Sequence, residues 1–106
     1  MTGIELIATE RYEQVIKHDK KIEDDVTFND KRELAIAASE LIRNGYFVIP
    51  SELPIKKWGE DVCMKLADKS YKERLIIAGA LIAAEIDRLQ YMEINSKLSS
   101  SGYFSL

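Results

Sequence analysis

Leu75-Ile76-Ile77-Ala78-Gly79-Ala80-Leu81-Ile82-Ala83-Ala84-Glu85-Ile86-Asp87-Arg88-Leu89 is the stretch that decides the fold class. Every residue from Leu75 to Ala84 is apolar or glycine, and the apolar pattern resumes at Ile86, Leu89 and Met92. Just upstream, Ser70-Tyr71-Lys72-Glu73 has capping-box spacing: a serine oxygen and a glutamate carboxylate satisfy each other's free backbone N–H groups. A helix therefore starts here and stays apolar nearly all round for more than two turns. Such a helix is either the centre of a bundle or an oligomer seam. The run is well short of the about 18 residues a membrane span needs. Gly79 and Ala83, four residues apart, let a neighbouring helix approach closely.

Outward from this helix, three further helices are expected, with irregular segments between them. Thr2-Gly3-Ile4-Glu5 repeats the capping-box spacing and opens a first helix running to about Lys17. Its stripe reads Ile4, Ala8, Arg11, Val15, with Ile7 beside it, so a charged Arg11 interrupts an apolar face. His18 to Asn29 is charged and irregular and reads as a long loop, with Val26 and Phe28 pinning its end. Asp30-Lys31-Arg32-Glu33 again has the capping spacing, and Leu34, Ala37, Ala38, Leu41 and Ile42 form a clean stripe that Asn44-Gly45 terminates. Tyr46 to Ile49 reads as a buried extended segment, and Trp58 to Lys69 as a short helix. The expected fold is an all-α helical bundle: three main helices, a short fourth, and the long C-terminal helix central. Residues 1–95 make one helical domain and 96–106 a flexible, serine-rich tail.

Composition narrows the function classes. The chain has 106 residues, 46% hydrophobic and 31% charged, which suits one globular domain rather than a disordered segment. A net charge of −3 gives no general attraction to a phosphate backbone, so nucleic-acid binding is disfavoured. Cys63 is the single cysteine, which rules out an internal disulfide and a multi-cysteine zinc site. The N-terminus lacks the basic and apolar regions of a signal peptide. The expected location is the cytoplasm, with no membrane contact.

Chemistry is sought where charge meets an apolar stripe. Arg11 and Glu85 both sit on such stripes, and a buried charge is costly unless paired. Arg11 is therefore expected to meet a carboxylate, with Glu85 and Glu33 the leading candidates. Glu10, Asp24, Asp25, Glu33, Glu85 and Asp87 could in principle hold magnesium, a cation that takes oxygen ligands. The all-α nucleoside triphosphate pyrophosphohydrolases do this with two glutamates three residues apart. Here Ile36 lies three after Glu33 and Arg88 three after Glu85, so that signature is missing. Glu23-Asp24-Asp25 reads as a solvated run, His18 as a solvated loop residue, and Trp58 as an anchor for its loop. No phosphate-binding loop, nucleophile elbow or dinucleotide turn is present.

Taken together, Glu10-Arg11, Gln14, Asp24-Asp25, Glu33-Leu34 and Ala37-Ala38, with Arg74-Leu75, Ala78-Gly79-Ala80-Leu81-Ile82 and Ala84-Glu85-Ile86-Asp87-Arg88-Leu89, resemble a family of small uncharacterised phage and prophage proteins. The resemblance covers most of the chain apart from the tail. It implies a phage or mobile-element origin inside a bacterial host cell, and no particular reaction.

The expected function is a binding protein rather than an enzyme, without cofactor or metal. It sequesters a nucleotide-like ligand or blocks a host defence factor. The expected ligand-binding residues are Arg11, Gln14, Glu33, Lys57, Arg74 and Glu85. The expected partner is a second copy, through the third main helix. The alternatives are a magnesium-dependent pyrophosphohydrolase-like enzyme and a structural or assembly protein.

Overall fold

The computed structural model describes residues 1–16, 22–43 and 58–99. Among these described residues five helices follow in order: α1 (Gly3–Ile16), α2 (Ile22–Phe28), α3 (Glu33–Ile42), α4 (Glu60–Ala67) and α5 (Tyr71–Ser99). No strand occurs among the described residues, so the chain is all-α. At 1.5 Å per residue, α5 is about 44 Å long, and α1, α2 and α3 all pack against it. It is the axis of the bundle, as its all-round apolar composition requires. It is not long and apolar enough to cross a membrane, and neither is any other described helix.

The core is the α3–α5 seam. Leu34, Ala37, Ala38 and Leu41 of α3 pack against Ala78, Leu81 and Ala84 of α5. The alanines bring the two backbones close, and the leucines fill the space between them. The two helices run antiparallel: the Arg74 guanidinium, near the start of α5, donates to the carbonyls of Leu41 and Arg43 at the end of α3. The Leu41 carbonyl is among the last four of α3, which have no partner inside the helix, and Arg43 is the residue that caps it.

Two of the three expected capping boxes form. Thr2 Oγ1 accepts from the Glu5 N–H at 3.2 Å while Glu5 Oε1 accepts from the Thr2 N–H at 2.8 Å. Ser70 Oγ accepts from the Glu73 N–H at 3.2 Å, and the Ser70 N–H and hydroxyl both donate back to Glu73 Oε1. The Asp30 box does not form. The residue before α3 is Arg32, held at φ 65° in the left-handed region, so the helix begins later than the spacing implied. Glu33 Oε1 instead accepts from the Lys31 N–H at 2.6 Å.

The two boxes carry a pH dependence. Hydrogen bonds from Thr2 lower the Glu5 pKa below 4.5, and bonds from Ser70 do the same for Glu73. A carboxylate whose folded pKa is depressed contributes fully above its unfolded value and loses that contribution as pH falls through the folded one. Glu73→Gln should therefore melt below wild type at neutral pH, and the gap should close on acidification below 4.5. Melting curves followed by circular dichroism across that window check this; a gap independent of pH would count against it.

Three expectations require correction. The stretch read as a loop from His18 to Asn29 contains α2, seven residues long, whose Asp25 is buried rather than solvated. Its charged residues hid a helix because α2 turns acidic side chains toward the interior as well as toward water. The stripe assigned to α1 is also rotated. Ile4 is 82% exposed and Ala8 is exposed, whereas Ile7 reaches α5. A Cβ on Gly79 would lie 2.6 Å from Ile7 Cδ1 and 2.8 Å from its Cγ1, so any side chain at residue 79 would force Ile7 to shift. Finally, α5 continues helical to Ser99, past the expected start of the tail at Ser96. The Asn44-Gly45 stop and the Tyr46 to Ile49 segment lie outside the described residues, as do His18 and residues 100–106.

Candidate functional site

The unusual feature of this interior is its charge. Asp25, Asn29, Glu33, Glu40, Glu85 and Arg88 are all buried. Most of them gather where α2, α3 and the middle of α5 meet. Arg88 Nε donates to Glu85 Oε1 at 2.7 Å and its Nη2 donates to Glu85 Oε2 at 3.0 Å. This is the two-pronged arrangement that suits a planar guanidinium to a carboxylate. The third nitrogen, Nη1, faces Met92 Sδ at 3.1 Å. The Glu85 hydrogen bonds raise the Arg88 pKa; burial opposes this, and the charges of Glu85, Glu33 and Asp30 reinforce it. One guanidinium thus stands in the field of three carboxylates, from α5, from α3 and from the turn before α3.

A second chain of bonds ties α2 and Trp58, two residues before α4, to this region. Asn29 Nδ2 donates to Asp25 Oδ1 at 2.8 Å, and the Trp58 indole N–H donates to Asn29 Oδ1 at 2.8 Å. Trp58 also packs against the α3–α5 core. It is the anchor that the sequence suggested, with a buried asparagine as its acceptor.

The six expected ligand-binding residues fall as follows. Arg11 pairs with Asp87, Nη2 to Oδ2 at 3.1 Å, rather than with Glu85 or Glu33. Residue 87 lies on the flank of α5 that α1 covers, whereas residue 85 lies on the α3 flank. Gln14 donates to Glu10 one turn back on the same helix at 3.2 Å. Glu33 and Glu85 belong to one neighbourhood, joined through Arg88. Arg74 is separated from Glu85 by eleven residues of α5, about 16 Å along the axis, and holds the end of α3. Lys57 lies outside the described residues. The described members therefore form three separate groups: Arg11 with Gln14, Glu33 with Glu85, and Arg74.

Sequence reasoning missed Arg88 as a partner, although the signal was present. Glu85 and Arg88 are three residues apart, a spacing at which helical side chains meet. The pyrophosphohydrolase signature would put a second carboxylate at that position. Here it holds a cation that engages both oxygens of Glu85. Among the described residues, no three His, Cys, Asp or Glu side chains come together in a way that could hold a metal ion. The arrangement is suited to locking helices in register and leaves Glu85 poorly placed to act as a base or an ion ligand.

The Arg11 pair is weaker than a core pair would be. Its side chains are 14% and 39% exposed, so Asp87 keeps much of its hydration when Arg11 is lost. Arg11→Ala should lower stability by about 1 kcal/mol, well under the roughly 3–5 kcal/mol of a fully buried pair. Urea titration measures this; a loss of the larger size would mean that Asp87 is effectively buried.

Comparison with known proteins finds no matching family model, no matching curated protein and no matching solved structure.

Proposed function

We propose that the chain is a small, non-catalytic helical binding protein that acts by contact with another protein through α5, in the service of a phage or mobile element within a bacterial cytoplasm. One observation carries this reading. Leu75, Ile82, Ile86 and Leu89 are 40–51% exposed although they lie on α5, the helix against which α1, α2 and α3 all pack. At about 100° per residue they fall on one strip of the helix surface, with Tyr71 at its upper end. Scattered exposed leucines need no explanation, but an aligned strip on the central helix does. Sequestration of a nucleotide-like ligand receives less support. Arg11 and Arg74, the described cations expected to hold its phosphates, lie in separate groups, and each has a protein acceptor.

The test is a panel of nucleotides and cyclic nucleotides, offered with and without magnesium, reading thermal shift and product together. The expected result is no product and no shift. A shift without product would move the function to ligand sequestration. Magnesium-dependent release of pyrophosphate would overturn the reading in favour of an enzyme.

A further inference from the structure

The open strip on α5 has a charge order as well as an apolar centre. Lys72 stands exposed at its N-terminal end and Glu93 exposed at its C-terminal end, with Leu75, Ile82, Ile86 and Leu89 between them. Ile82 lies midway: Leu75 is seven residues before it and Leu89 seven after. A strip with this symmetry is complementary to itself turned end for end. We propose that the surface on which α5 acts is filled by α5 of a second copy, packed antiparallel about a twofold axis at Ile82.

The inference rests on the reading of α5 as a contact face and names its occupant. In this pairing Ile82 meets Ile82 of the second copy and Leu75 meets Leu89. Ile86 comes level with Ala78, whose side chain is already buried in the α3–α5 core. Lys72 of each copy comes beside Glu93 of the other, so both ends of the strip are charge-matched. A parallel pairing would set Lys72 on Lys72 and Glu93 on Glu93, which is unfavourable at both ends. The antiparallel contact is isologous: the same patch serves both copies and the assembly closes at two. Because the strip's side chains are 40–51% exposed and none of them is among the core residues Ala78, Leu81 and Ala84, pairing needs no rearrangement of that core.

Light scattering and sedimentation of the whole chain at 1–100 μM (on the order of the range in which small interfaces associate) give the first test. The expected mass is about twice the 12.1 kDa of one chain. Ile82→Glu should give a monomer with an unchanged far-ultraviolet spectrum, since the position is half exposed and the variant can fold. Lys72→Glu and Glu93→Lys should each weaken the dimer about tenfold, and the double variant should recover wild-type affinity. That recovery separates a Lys72–Glu93 contact from general loss of charge. A 12.1 kDa species throughout overturns the self-pairing. So does a dimer indifferent to Ile82→Glu, or a double variant no tighter than the singles. A monomer that ignores the nucleotide panel leaves α5 as a face for a different protein. A monomer that turns nucleotides over removes both readings, so the two failures are distinguishable.

Discussion

Arg88→Ala is expected to be among the most damaging single substitutions in the chain, lowering stability by about 3–5 kcal/mol. For a domain near this size that is a fall in melting temperature of at least about 12 °C. Arg88 is 4% exposed and Glu85 9% exposed, and the two share a pair of hydrogen bonds at 2.7 and 3.0 Å. Removing the guanidinium leaves a carboxylate in the interior with the charges of Glu33 and Asp30 nearby, as their effect on Arg88 shows. The carboxylate must then take up a proton or draw in water, and either weakens the α3–α5 seam. The companion experiment is Glu85→Leu with Arg88→Met, which removes both charges and keeps the volume apolar. Replacement of a buried pair by packed hydrophobes is often neutral or stabilising, so the double variant should melt well above the single one. If Arg88→Ala melts within a degree or two of wild type, Glu85 has a second neutralising partner and the ion pair is not what holds this junction.

That pair also shows where sequence reasoning ran out. The long apolar run beginning at Leu75, the α3 stripe and the two capping boxes at Thr2 and Ser70 are local patterns, and each was legible. The fold class follows from them because a helix as apolar as α5 must be covered by others. What was not legible was rotation. Arg11 and Glu85 each sit on an apolar stripe, but which of the neighbouring polar residues each one faces depends on how α1 and α3 are turned about α5. A rotation of one residue, about 100°, exchanges Glu85 for an adjacent position. On the α1 side, Ile7 occupies the space a side chain at Gly79 would take, and Arg11, one turn later, falls against Asp87. Charge on an apolar stripe marked Arg11 and Glu85, and their partners were decided by packing that no spacing rule encodes.

The missed α2 has a different cause. Ile22–Phe28 is too short and too polar for periodicity to stand out from a charged loop. Its stability is tertiary: it packs against α5, and Asn29, which follows it, accepts the Trp58 indole N–H. The partner that makes the helix worthwhile lies 29 residues away in the chain. A helix of this length is marginal alone and forms because another element completes it.

A comparison of Leu41→Ala with Ile82→Ala should separate the face that holds the bundle together from the face offered outward. Leu41 is fully buried at the α3–α5 seam, and its carbonyl is one of the two held by Arg74. Truncating it opens a cavity lined by the small residues of both helices, which have little side chain with which to fill it. The expected loss is about 2–5 kcal/mol, the upper part of that range if the backbones cannot close. Ile82 is on the same helix pair but 47% exposed. Its truncation removes contacts that the single chain mostly leaves to water, so the folded monomer should lose less than about 1 kcal/mol, and the alanine gains slightly in helix propensity. Measured by denaturant unfolding at concentrations low enough to keep the chain monomeric, the two variants should differ by at least about 1 kcal/mol. Raising the concentration should then bring wild-type stability up relative to Ile82→Ala and leave its distance from Leu41→Ala nearly constant, because association stabilises only chains that can pair. If Ile82→Ala proves as costly as Leu41→Ala in the monomer, residue 82 is covered within its own chain and α5 offers no open face.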